Sequence, residues 1–115
     1  MAKTQKTFAL IVGIVLAIIG IWGLFSDNVL GFGVNVTQSV LHLIAAIFGI
    51  YVGTKGAGPG FNKSIGIIGV VLAILGFISG TAALLASLLN VNMATTWLHL
   101  VVGVVSLIVG YGVKD

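Results

Sequence analysis

Five lysines and two aspartates carry all the charge in a chain of 115 residues, and 59% of its residues are apolar. Soluble domains carry roughly 25% charged residues, and a chain this size without them cannot cover itself in water, so the composition points to an integral membrane protein. With no cysteine there is no disulfide framework, thiolate metal site or cysteine nucleophile, and scattered lysines make no basic patch for nucleic acid.

Residues 1–7 are polar and include Lys3 and Lys6. From Phe8 to Phe25 the chain runs without a charge, long enough at about 1.5 Å per residue to approach the thickness of a bilayer core. A signal peptide begins similarly, but this run is long for a signal core and lacks a small-x-small cleavage site before Asp27. It reads as a retained first transmembrane helix. Ser26 to Val34 is a turn rich in helix breakers, and a second helix is expected from about Val36 to Val52. Residues 53–63 (G-T-K-G-A-G-P-G-F-N-K) form the clearest loop, with the only proline and two lysines. A third span begins at Ser64. It closes near Gly80-Thr81 or continues to Asn90, with tilt or with its last turns along the interface. The fourth runs from about Ala94 to Gly110.

Four spans put Lys3, Lys6, Lys55, Lys63 and Lys114 on one side and Asp27 on the other. The positive-inside bias then assigns both termini and the 53–63 loop to the cytoplasm. The expected fold is an all-α membrane bundle of one domain, residues 1–115.

The chain also repeats itself. An offset of 56 aligns Gly13, Val15, Leu16, Ala17 and Gly20 with Gly69, Val71, Leu72, Ala73 and Gly76. An offset of 57 aligns Asn35, Leu41, His42, Leu43 and Gly53 with Asn92, Leu98, His99, Leu100 and Gly110. Two tandem hairpins of the same orientation follow, over about residues 7–54 and 63–111, related by an axis along the membrane normal. His42 and His99, the only histidines, then sit at one depth, seven residues or ~10 Å inward from an Asn at the outer interface.

Spacings of three and four place Asn35, Ser39, His42, Ala46, Gly49 and Gly53 on one helical face. Asn92, Thr96, His99, Gly103, Ser106 and Gly110 share another. The other two helices carry small residues: Gly13, Ala17 and Gly20 in the first, and Gly66, Gly69, Ala73, Gly76, Gly80 and Ala83 in the third. In lipid, helices associate through close backbone approach and interhelical hydrogen bonds. These faces are therefore expected to line the interior.

Asn35 and Asn92 read as helix caps, and Ser39, Thr96 and Ser106 as hydrogen-bonders to their own helices. Trp22 and Trp97 suit the outer interface, and Phe8, Tyr51 and Tyr111 the inner one. Residues 56–60 lack the Lys-Ser/Thr of a phosphate loop. The histidines matter most, because ionisable groups in membranes are rare and costly. In the preferred reading each neutral imidazole donates to a carbonyl or hydroxyl on a neighbouring helix. In the alternative, His42 and His99 are axial ligands of a haem or chlorin. A zinc site lacks further ligands. No catalytic triad can form with the two aspartates in polar ends, so an enzyme is not expected. A small-solute channel or transporter remains a second alternative, although no acid lies within a span.

Asn35 with Leu41-His42-Leu43 and Gly49, and Asn92 with Trp97-Leu98-His99-Leu100 and Gly103, resemble the pattern of a family of small bacterial and archaeal four-helix membrane proteins catalogued as a domain of unknown function. The resemblance extends over nearly the whole chain, with Thr96 a departure where Asn or another polar residue is expected. It implies four spans in a prokaryotic cytoplasmic membrane and no particular activity. A structural or accessory role follows, in the lipid bilayer, by self-association or within a larger membrane complex.

Overall fold

The computed structural model describes residues 3–56 and 58–113, so Lys114 and Asp115 lie outside the described residues. Four helical stretches are long and apolar enough to cross a membrane: Lys3–Gly23, Val36–Thr54, Pro59–Phe77 and Met93–Gly112. We label the helices α1 (Lys3–Gly23), α2 (Val36–Thr54), α3 (Pro59–Phe77), α4 (Ser79–Leu89) and α5 (Met93–Leu107). The last continues as a π-helical turn over Ile108–Gly112. Lys3, Lys6, Lys55 and Lys63 lie toward one end of this arrangement, and Asp27 lies in the connection at the other.

Several boundaries differ from the sequence expectation. Helix α1 begins at Lys3 rather than Phe8, because Lys3 to Thr7 contains straight-chain helix formers and no breaker. The loop expected over 53–63 contracts to the residues between Thr54 and Pro59. Proline fits the first helical position, where its missing N–H costs nothing, so Phe61, Asn62 and Lys63 belong to α3. Gly58 has φ 97°, and a Cβ there would lie 2.7 Å from the Gln5 carbonyl. Both the turn and the approach to α1 thus require glycine.

The third apolar stretch breaks at Ile78, whose backbone is extended (φ −95°, ψ 123°). Thr81 Oγ1 donates to the carbonyls of Leu75 and Ile78, satisfying groups that the break releases. Helix α4 then runs separately to Asn90, which closes it in the left-handed region (φ 55°). Gly80 and Ala83, expected on the interior seam, are exposed as a result.

The turn after α1 contains a two-stranded antiparallel hairpin, β1 (Asn28–Val29) and β2 (Phe32–Gly33), pairing Asn28 with Gly33 and Val29 with Phe32. Leu30 and Gly31 both take positive φ, 55° and 92°, as a two-residue hairpin of this type demands. Asn28 Oδ1 accepts from Gly31 N at 2.9 Å. Val29 and Val34 are buried under the hairpin, while Leu30 at its tip is 78% exposed.

Packing is closest within two hairpins, α1 with α2 and α3 with α5. A Cβ on Gly13 would lie 2.7 Å from Ile50 N, and one on Gly49 would lie 2.9 Å from Gly13 Cα. In the second hairpin a Cβ on Gly69 would lie 2.9 Å from Gly103 Cα, and one on Gly103 would lie 2.7 Å from Val70 N. Backbones meet at both crossings. Buried positions along the spans include Gly20, Ser39, Ala46, Gly66, Ala73, Gly76, Thr96 and Ser106, whereas Ile18, Ile47, Phe48, Ile74 and Ile108 are exposed.

Candidate functional site

The two asparagines each do two things. Asn35 caps α2 by accepting from Gln38 N at 2.8 Å, while its Nδ2 donates to Leu88 O of α4 at 3.0 Å. Asn92 caps α5 by accepting from Thr95 N at 2.9 Å, while its Nδ2 donates to Gly31 O of the β-hairpin at 3.0 Å. The capping expected from sequence is present in both, and each cap reaches across to the other half of the chain.

Three further polar residues join this outer network, and sequence reasoning had not singled them out. Gln38 Nε2 donates to Leu89 O at 2.7 Å and to Gly33 O at 3.2 Å. Asn90 Nδ2 donates to Val34 O at 2.7 Å and Asp27 O at 3.0 Å. Thr95 Oγ1 donates to Asn92 Oδ1 at 2.8 Å or to Gly33 O at 3.3 Å. Gln38 and Thr95 were findable as the third helical residue after a cap, the position of a capping-box partner. Replacing Asn35 or Asn92 with Ala is expected to cost about 1–2 kcal/mol each, the upper range for a lost cap. Thermal unfolding in detergent measures it, and Ser at either position should recover the capping share but not the cross-link.

A second network closes the opposite end. Gln5 Nε2 donates to Val109 O at 2.6 Å and Val113 O at 3.0 Å. Asn62 Nδ2 donates to Gln5 Oε1 at 2.8 Å and to Gln5 O at 3.0 Å. Beside it, Lys63 Nζ stands 4.8 Å from the Tyr111 ring centroid.

Between these two ends the polar groups behave differently from expectation. Ser39 and Ser106, expected to bond to their own helices, are fully buried with no hydrogen-bond partner for Oγ among the described residues. Ser39 Oγ occupies the space where Gly23 would carry a Cβ, and Thr96 fills the same kind of space at Gly76. These side chains act as small fillers against glycine.

His42 and His99 meet at one cavity of about 310 Å³ between α1, α2 and α5, which Gln38 and Thr95 also line. Both imidazoles are half-buried. Nδ1 of each is sealed from solvent and has no hydrogen-bond partner among the described residues, so the interhelical bond expected of a packing histidine is not made through Nδ1. Axial ligation of a haem or chlorin asks an imidazole to give its Nε2 lone pair to the metal while Nδ1–H donates to an acceptor. Neither Nδ1 has such an acceptor among the described residues. Among the described residues no cluster of three or more His, Cys, Asp or Glu could hold a metal ion.

One comparison decides the assignment: the model of a domain of unknown function, DUF4383, matches residues 6–112. The chain belongs to the DUF4383 family. The match takes in nearly all of the four long helices and the outer polar network of this DUF4383 chain, while Gln5 and Val113 of the inner network flank it, and the resemblance to a family of unknown function holds at that level. No curated protein and no solved structure matches it.

Proposed function

We propose that this DUF4383 protein is a small integral protein of a prokaryotic cytoplasmic membrane, with both termini cytoplasmic and a structural or accessory rather than catalytic role. The observation that carries the reading is the reciprocal exchange at the outer end. Asn35 donates to Leu88 O and Asn92 to Gly31 O, and both donors and both acceptors are 57 residues apart. The same groups thus meet twice across an approximate two-fold axis, as expected of a tandem duplication whose halves share orientation. Apart from Asn28 in the β-hairpin turn, the bonded amide side chains at both ends hold one half of the chain to the other or serve helix ends.

The outward faces of the four spans carry large apolar side chains, suited to lipid or to the spans of a larger complex. A polar solute path is not favoured, because the amides at the two ends are engaged with backbone carbonyls. The cysteine-free chain permits a direct test of topology. Asp27→Cys and Lys55→Cys, both at exposed positions, are each treated in intact cells with a membrane-impermeant maleimide. Asp27→Cys should label at once and Lys55→Cys only after permeabilisation. The reverse pattern, or equal labelling, overturns the topology and the membrane role built on it.

A further inference from the structure

The two hairpins leave two lateral grooves. The first, between α1 and α5, is the histidine cavity, and four of its walls are Leu98, Val101, Val102 and Val105. The second, between α2 and α3, is walled by Leu41, Ile44, Ala45 and Phe48, their counterparts at the offset of 57. The second, of about 420 Å³, is lined by no ionisable side chain among the described residues. Phe61 lines it and puts its ring tip against Gly49. At the offset of 56, the counterpart of Phe61 is Gln5, which turns to the carbonyls of Val109 and Val113 instead. The two grooves thus differ in chemistry, and the first holds both histidines.

The geometry points to a binding site in the α1–α5 groove for a neutral, carbonyl-bearing isoprenoid, a prenylated quinone, with the Nε2–H groups of His42 and His99 as donors to its oxygens. A neutral imidazole donates through one ring nitrogen and accepts through the other. With Nδ1 sealed in both rings, any bond to a bound molecule runs through Nε2. A proton on Nδ1 would bury a donor with no acceptor, the costlier kind of orphan. The proton therefore belongs on Nε2, and each histidine offers a donor, not a lone pair. That chemistry selects acceptor oxygens and disfavours a metal.

The remaining lining is almost wholly apolar, with Val12, Val15 and Leu16 on the α1 side, and the volume lies at the lower end of the ~300–1,000 Å³ range of ligand pockets. It suits a quinone ring and its first prenyl unit, with the tail leaving between α1 and α5. Depth argues against a phospholipid. The histidines lie ~10 Å inward from the capping asparagines, and no charged side chain lines the groove to receive a headgroup. This depth rests on the membrane topology proposed above.

The test titrates a short-chain prenylated benzoquinone into the full-length protein in lipid nanodiscs and reads the saturable rise in unfolding temperature. Wild type should bind. His42→Phe and His99→Phe should each weaken binding about tenfold, the worth of one desolvated hydrogen bond. His42→Gln and His99→Gln, which keep a donor near the Nε2 position, should stay within about threefold of wild type on the same scale. Val102→Phe, which fills the groove and leaves both histidines in place, should abolish binding while unfolding cooperatively. Four results would each overturn the site: no saturable shift, Phe variants that bind like wild type, a co-purified phospholipid that the quinone does not displace, or a Soret band lost equally in Phe and Gln variants. Failure with the cysteine labelling intact falls on the site alone. A reversed labelling pattern falls on the topology.

Discussion

Gly13→Ala and Gly69→Ala should each destabilise the protein by about 1–3 kcal/mol, the usual cost of overpacking, while Gly60→Ala and Gly80→Ala should stabilise it by about 0.4–1 kcal/mol. All four change the same atoms and act in helices, so the opposite signs isolate tertiary packing from helix propensity. At Gly13 the added Cβ would lie 2.7 Å from Ile50 N and 2.9 Å from Gly49 C, and at Gly69 it would lie 2.9 Å from both Gly103 Cα and His99 O. Those neighbours are backbone, which cannot rotate aside as a side chain does. The helices must part, and every close contact along the crossing weakens with them. At Gly60 and Gly80 nothing among the described residues stands within 4 Å, leaving only the reduced freedom of the unfolded chain. Unfolding in detergent, followed by helical circular dichroism, reads all four. Equal signs would mean that the glycine crossings do not hold the hairpins together. A bulkier Gly13→Ile should prevent accumulation of folded protein.

The second large effect is expected at the inner end. Gln5→Leu keeps the side chain's bulk and removes the donor shared by Val109 O and Val113 O, and with it the Oε1 that accepts from Asn62. Leaving buried groups unsatisfied costs about 1–3 kcal/mol each where no water enters, and about 2–3 kcal/mol is expected for the variant. Gln5→Glu should cost more. It is nearly isosteric, yet an ionised carboxylate only accepts, and it would face the same carbonyls with a buried charge. Amide hydrogen exchange supplies the local readout, with the π-helical turn over Ile108–Gly112 losing protection first in both variants. If Glu proves as stable as wild type, Gln5 is not acting as a donor and the inner network is misread.

Why that network escaped sequence reasoning is instructive. Gln5 and Asn62 are 57 residues apart, and neither falls on a spaced polar face. Gln5 sits in the short polar stretch before Phe8, and Asn62 in what reads as a glycine-rich loop. Both became interior groups once α1 started at Lys3 and α3 at Pro59. The break at Ile78 was hidden for a similar reason. Ile78 is apolar and β-branched, with no local signal of a helix end, and the nearest glycine lies two residues further on. By contrast, Asn35 and Asn92 were legible as caps, because a cap acts on an N–H only three residues away.

The sequence by itself determined that four stretches are long and apolar enough to span a membrane, that Asn35 and Asn92 cap helices, and that each histidine follows its asparagine at the same spacing. Each of these depends on run length, periodicity or a bond within a few residues. The tertiary structure alone decided which polar groups find partners across the bundle. It decided that Ser39 and Ser106 fill space instead of bonding, and that Nδ1 of both histidines goes without a partner among the described residues. It also decided that both histidines line one of two similar grooves. Such outcomes turn on how closely two hairpins approach, and a difference such as Phe61 against Gln5 at matching positions shifts that balance without altering any local pattern in the chain.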